Sequence, residues 1–202
     1  MNTERLEAAF SAAFTPERVA RNDIQQHKWE LGTFLGLVNC KLRPQRTVEL
    51  GTYKGWTATL LAAVSDRVVS IDTQEYGPPD APPSAELTFL KGDATDPLTA
   101  KEAVFHLGGP IDLLFIDDGH YYETIVAEFN LWKPFVRPGG WIAFHDINPL
   151  ANIGPHGTQP DSIQVPRFWR ELKGNKQEII ATSEHASYLG HLPHGGIGIL
   201  RL

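Results

Sequence analysis

Apolar residues recur at helical spacing at the start of the chain, at Leu6, Ala9, Phe10 and Ala13, and again at Leu31, Phe34, Leu35 and Val38 to about Lys41. Between them Thr15, followed by Pro16 and Glu17, reads as the cap and first turn of another helix. Two or three helices therefore precede the first strand. From there the pattern changes to short apolar runs: Thr47–Leu50, Val68–Ile71, Leu87–Leu90, Leu113–Ile116 and Trp141–Phe144. Continuous runs of this length are the form of strands covered on both faces. Helical stretches at Trp56–Val64, Thr99–Phe105 and Tyr122–Trp132 lie between most of them, and that alternation builds a parallel, doubly wound α/β sheet. The end departs from the rhythm. A helix around Phe168, Trp169 and Leu172 leads to two strands, Glu178–Thr182 and Ile197–Leu202, with no helix between them, so they pair antiparallel or part company.

A chain of 202 residues holds one such domain, with residues 1–45 as a helical cap and 46–202 as the core. The net charge of -6, without a run of Lys or Arg, argues against nucleic acid or an acidic membrane surface as partner, while leaving a small anionic ligand open. No apolar stretch approaches the roughly 18 residues needed to span a bilayer. Met1–Phe14, with Glu4, Arg5 and Glu7, does not read as a signal peptide. Cys40 is the only cysteine, which excludes an intrachain disulfide and points to the cytoplasm; following Leu37 and Val38, it is expected to be a buried structural thiol. Two segments rich in Pro and Gly, Tyr76–Ser84 and Asn148–Pro166, interrupt the pattern. The second has the length of a lid or binding loop, against the alternative of a surface excursion.

Chemistry gathers where the strands end. In VELGTYKGW, Glu49 closes a strand, Gly51 permits a tight turn, with Thr52 following, and Gly55 opens a helix whose free N–H groups form a ligand cradle. The E-x-G-x-x-x-G spacing differs from the G-x-G-x-x-G of dinucleotide binders. Asp72 ends the second strand, placed either to accept the hydroxyls of a ribose or to cap a helix. Asp93, in LKGDATD, stands at the same rim, placed for an adenine amino group or simply for a turn. IDDGHYYE then brings Asp117, Asp118 and His120 just beyond the fourth strand, and WIAFHDIN brings His145 and Asp146 beyond the fifth. Carboxyl ends of adjacent parallel strands converge on one crevice, so acids and imidazoles meet there. Such a cluster is costly unless it is solvated, paired or holding a metal. A structural ion network is the competing account.

Together these motifs resemble the class I S-adenosylmethionine-dependent methyltransferases. The run IDDGHYYE, LWKPFVRPGGWIAFHDI and FWREL resembles their metal-dependent sugar and macrolide-sugar O-methyltransferase branch, which includes cephalosporin-hydroxylase-like proteins. The similarity extends from about Val48 to Leu202. It implies a Rossmann-like, seven-stranded sheet of order 3-2-1-4-5-7-6 with the last strand antiparallel. It further implies that Glu49, Gly51, Thr52 and Gly55 hold the methionyl part of the cofactor, with Asp117 close by. Asp72 would hold the ribose, and Asp93 and Ala94 the adenine edge. Asp117 and Asp146 match metal-ligand positions, with His145 at a site that is often another carboxylate. His120 matches the general base, with His145 the alternative. Relatives commonly read I-D-G-x-H, whereas Asp118 and Gly119 here separate Asp117 from His120.

The implied reaction is methyl transfer to a hydroxyl of a small molecule, a sugar above all, such as a hexose precursor of an actinobacterial polysaccharide or glycolipid. Mg²⁺ or Mn²⁺ would assist it. Trp56, Tyr121 and Tyr122 are candidates to stack on a sugar face, and His156, Gln159, Asp161 and Gln164 to bind its hydroxyls. The N-terminal helices and the proline-rich loop offer a homodimer surface. A nicotinamide oxidoreductase fails on the glycine spacing. A metal-dependent hydrolase leaves Glu49 and Asp72 without purpose, and a non-catalytic cofactor-binding module leaves the acid–imidazole cluster without one.

Overall fold

The computed structural model describes residues 3–14, 22–74, 86–148, 163–180 and 195–202. The cap at Thr15–Glu17, the loop Tyr76–Ser84 and most of Asn148–Pro166, with His156, Gln159 and Asp161, lie outside them. Helices α1 (Thr3–Ala13) and α2 (Asn22–Leu37) come first. They are followed by β1 (Arg46–Leu50), α3 (Trp56–Val64), β2 (Arg67–Asp72), β3 (Glu86–Lys91), α4 (Pro97–Leu107) and β4 (Ile111–Ile116). The chain continues through α5 (Tyr122–Trp132), β5 (Val136–Phe144), α6 (Val165–Glu171), β6 (Asn175–Ile179) and β7 (Ile197–Arg201).

The seven strands form one sheet in the order β3-β2-β1-β4-β5-β7-β6. The first five run parallel, and β7 lies antiparallel between β5 and β6, as the resemblance implies. Successive residues of a strand point to opposite faces. Leu114 and Ile116 of β4, with Ile142 and Phe144 of β5, enter the core shared with α4, α5 and α6. Leu113, Phe115, Trp141 and Ala143 enter the core shared with α1, α2 and α3. Extending that alternation one step past the strands sends Asp117 and His145 toward the N-terminal helices.

Three expectations need correction. The sixth strand lies three residues earlier than Glu178–Thr182. It is an exposed edge strand whose register pairs Asn175 with Arg201 and Ile179 with Ile197, so of its five residues only Ile179 is buried. The third strand is not covered on both faces: Leu87–Leu90 are half-buried because β3 is the opposite edge. Cys40 is exposed, not buried. The α-helix widens at its end into a π-helical turn, Val38–Leu42, which turns Val38 inward and Cys40 to solvent before Arg43 closes it at φ 49°.

Candidate active site

Backbone bonds between neighbouring strand ends assemble the crevice. The N–H of Gly51 donates to the carbonyl of Ile71 at 2.9 Å, that of Asp117 to Leu50 at 2.9 Å and that of His145 to Ile116 at 3.0 Å. Gly51 sits at φ 91°, and a Cβ there would lie 2.1 Å from the carbonyl oxygen of Asp117, so only glycine lets the two loops touch. A cleft of about 330 Å³ opens between them, a size within the range of small-molecule sites. It is lined by Gly51, Thr52, Tyr53, Lys54, Trp56, Thr57, Asp72, Asp117, Asp118 and His120.

One wall belongs to β1 and β2. Ser70 donates to Glu49 Oε2, and its hydroxyl lies 2.6 Å from that of Thr52, both bonds buried. Glu49 Oε1 has no hydrogen-bond partner among the described residues. Burial pushes the Glu49 carboxyl well above its usual range; Ser70 opposes this, and the charges of Asp117 and Asp72 add to it. Asp72 accepts from the N–H groups of Tyr53 at 2.9 Å and Gln74 at 3.0 Å, one on each oxygen. Each carboxylate oxygen keeps a further lone pair for a ligand. Gly55, at φ 73°, caps α3. Asp93 Oδ1 accepts from both the N–H and the hydroxyl of Thr95, which hold its pKa down, and Asp93 is exposed. The turn expected as the competing role is therefore present. Ala94 is buried, its carbonyl accepting from Trp132 Nε1 at 2.7 Å. Neither Asp93 nor Ala94 lines the cleft.

The other wall holds the acids and imidazoles. Donor atoms of Asp117, His120 and Asp146 lie within 4.8 Å of one another, close enough to share an ion. His120 Nε2 is 2.9 Å from Asp146 Oδ2. His145 Nδ1 is 3.1 Å from Asp117 Oδ1 and 3.4 Å from Asp146 Oδ1. The two imidazoles differ in access: side-chain exposure is 38% for His120 and 8% for His145. The hydrogen bond from Asp146 raises His120 against the opposing effect of burial. Burial likewise disfavours the charged form of His145, but Asp117 and Asp146 outweigh it and hold the ring well above the ordinary histidine range. Asp146 is half-buried, which would raise it, yet the two imidazoles keep it well below the usual carboxylate range. Its φ of 58° lies in the left-handed region, which Asp and Asn enter more readily than other side chains. Backbone bonds from Ile147 to Gly196 and from Asn148 to Gly195 hold the chain just beyond it.

The family described as methyltransferase domain matches residues 48–147, which contain both walls of this cleft. Over residues 48–147 the chain carries a domain of the methyltransferase family, and its sheet has the Rossmann-like methyltransferase order. The chain is 24% identical over 160 residues to y4gI, an uncharacterised protein of Sinorhizobium fredii; the match covers 71% of this chain but 17% of that protein. Among solved structures, it resembles the Bacillus cereus O-methyltransferase in complex with SAH at 18% identity and a TM-score of 0.60, covering 98% of this chain and 91% of that one. It also resembles MycE methyltransferase from the mycinamycin biosynthetic pathway, in complex with Mg, SAH and mycinamycin VI. There the identity is 15% and the TM-score 0.55, over 86% of this chain and 49% of that one. The chain thus spans about half of MycE and less of y4gI.

The cleft brings together Gly51, Thr52, Asp72, Asp117 and His120 of the residues singled out from sequence, with Glu49 and Gly55 immediately behind. The close triad of possible ligands contains His120 where the sequence reading places His145. Tyr122 is engaged elsewhere, with Arg167 stacked 4.2 Å over its ring and its hydroxyl donating to Glu171. Trp56 lines the cleft; Tyr121 is exposed beside it. Gln164 braces the His120 loop: its N–H donates to the His120 carbonyl at 2.7 Å, and its side chain accepts from the Tyr122 N–H at 2.8 Å. The sequence reading missed Ser70, Tyr53, Lys54 and Thr57. Ser70 had a visible signal, as a polar residue inside the buried run VVSID.

Proposed function

We propose that this protein is an O-methyltransferase that moves the methyl group of S-adenosylmethionine onto a hydroxyl of a small molecule, a sugar by preference, with help from Mg²⁺ or Mn²⁺. The observation that carries the reading is the grouping of Asp117, His120 and Asp146 within 4.8 Å at one wall of a cleft whose other wall is Gly51–Thr57 and Asp72. The cofactor fits the first wall. Glu49 offers a buried oxygen with no donor among the described residues, suited to an ammonium group, and Asp72 offers lone pairs to ribose hydroxyls. S-adenosylmethionine, when bound, supplies a sulfonium-activated methyl group, so the protein's main task is alignment. Two carboxylates with water completing the shell suit Mg²⁺, and an imidazole ligand would also admit Mn²⁺; either ion would supply Lewis acidity toward the acceptor hydroxyl.

His120 would take the acceptor's proton. Asp146 faces Nε2 at 2.9 Å, favouring the tautomer with its proton on that nitrogen and leaving Nδ1 as the base. Asp117 and Asp146 would hold the cation, with Asp93 and Ala94 bordering the adenine end. Because His120 belongs to the close triad, a second reading makes it a ligand instead of the base. Acidic net charge favours a small acceptor over nucleic acid, and Trp56 and Tyr53 at the cleft suit a sugar face. No helix among the described residues is long and apolar enough to cross a membrane. A cytoplasmic homodimer completes the proposal, and light scattering tests its second half.

Isothermal titration of EDTA-treated protein with S-adenosylhomocysteine, then Mg²⁺, then a panel of sugars tests the whole. Nucleoside binding, with sugar binding only after the metal, supports the reading. Absence of nucleoside binding by folded protein overturns it in favour of a metal-dependent hydrolase.

A further inference from the structure

We infer that Glu30, on α2 in the N-terminal cap, is a positioning residue for the acid–imidazole wall and acts through His145. The inference rests on the reading of Asp117 and Asp146 as the metal-holding carboxylates.

Glu30 is fully buried, on the face of α2 that also buries Leu31, Phe34 and Leu35. A carboxylate on such a face is costly unless a cationic or hydrogen-bonding partner meets it. The partner is at hand: Glu30 Oε2 lies 3.8 Å from His145 Nε2. The helix is seated so that the contact follows from packing. Phe34, one turn on from Glu30, packs at a tilt on Phe115 with ring centroids 5.5 Å apart, and Phe115 lies 6.4 Å from the His145 ring. The opposite edge of that ring faces the site, with Nδ1 3.1 Å from Asp117 Oδ1 and 3.4 Å from Asp146 Oδ1.

His145 thus lies between carboxylates, hydrogen-bonded to Asp117 at Nδ1 and facing Glu30 at ion-pair distance, beyond hydrogen-bond reach, at Nε2. Gly195 closes the back of the pair. At φ 84°, a Cβ there would come 2.6 Å from Glu30 Oε2 and 3.3 Å from His145 Nε2, so a side chain would wedge the contact open. The same glycine's carbonyl accepts from Asn148, two residues past Asp146. One buried carboxylate thus faces the ring that contacts both acids, from a helix with no residue among the described lining of the cleft. Carboxylates that orient a site's imidazoles in this way typically contribute about 10–100-fold to metal affinity or activity.

The test compares wild type, Glu30→Gln and Glu30→Ala, each full length. Three quantities are measured: S-adenosylhomocysteine affinity, Mn²⁺ affinity without substrate, and long-range ¹H–¹⁵N spectra of the histidine rings. Nucleoside affinity should stay within twofold. Mn²⁺ affinity should fall about 10–100-fold, less for Gln than for Ala, and the His145 Nε2 resonance should move. A lower melting temperature with unchanged Mn²⁺ affinity and unchanged His145 resonances overturns the inference. Should Glu30→Ala fail to fold, Glu30→Gln decides alone. Wild type that binds no Mn²⁺ overturns the metal reading itself, and the His145 resonance then still tests the Glu30 contact.

Discussion

Along the β1–β2 rim, Glu49, Thr52 and Ser70 hold one another through bonds between two adjacent strands, and Asp72 is fixed by N–H groups close by in the chain or on the next loop. The β4–β5 rim is put together from further away. Asp117 and Asp146 are 29 positions apart in sequence, His145 leans on Glu30 of the N-terminal cap, and Gly195 and Gly196 brace the turn after Asp146 from the start of β7. The contrast separates two tasks. A cofactor cradle is satisfied by one strand, one turn and one helix start, whereas a cluster of charges needs counter-groups from all around it. The first wall should therefore respond to mutation locally, and the second at a distance.

The largest expected effect is at the second wall. His120→Ala should lower turnover by about 10²–10⁴-fold, the usual worth of a positioned base, with S-adenosylhomocysteine affinity unchanged. Mg²⁺ affinity in the same variant distinguishes its roles: retained affinity marks a base, lost affinity a ligand. Next comes Asp72→Ala, expected to weaken nucleoside binding by about 10–100-fold, the value of one or two hydrogen bonds to a charged group. Metal affinity should be untouched; a fall in both would show that the walls are one unit and would end the comparison. A third effect follows from the raised His120 and His145. A cation must displace a proton from an imidazole it engages, so metal affinity should weaken as pH falls, by about tenfold per unit for each proton released. Nucleoside binding over the same range should be flat. Titration in buffers of differing ionisation enthalpy counts the protons.

The same contrast explains what could be read in the sequence. Strand ends, Gly51, Asp72 and the acids beyond β4 and β5 were legible, since a period-2 or period-3.6 pattern together with a glycine turn is local information. The choice between His120 and His145 was not. Both follow apolar strands, and only the fold shows that His145 continues the inward alternation of Trp141 and Ala143 while His120 stands at the cleft. Glu30 carried a signal that went unused, a charge one turn before Phe34 on an otherwise apolar face. The shift of β6 has the opposite origin. Ile179 and Ile180 looked like strand centre, but an edge strand buries few of its residues, so hydrophobicity marks its end. Cys40 was misplaced because a π-turn changes the helical period at that point.

The smallest effect tests where the two walls meet. Glu128 of α5 is buried, with neither carboxyl oxygen facing a donor among the described residues. Its neighbours are acids from each wall, Asp118 and Asp93, and burial first, then Asp118, pushes its pKa up to about 9 from an ordinary 4.5. An acid raised in this way keeps its proton in the fold while the unfolded chain releases it at the ordinary value. Its contribution to stability is complete below 4.5 and is lost as pH climbs toward 9. Glu128→Gln keeps the shape and a donor for Asp118 but cannot ionise. The variant should match wild type near the lower limit and gain on it with rising pH, by roughly 1 kcal/mol per pH unit between the two limits. For a domain of this size that is about 2–4 °C in Tm per kcal/mol. Melting curves across the pH range decide it. A pH-independent difference would mean that Glu128 is already ionised in the fold, and the junction between the walls would then need a cation from elsewhere.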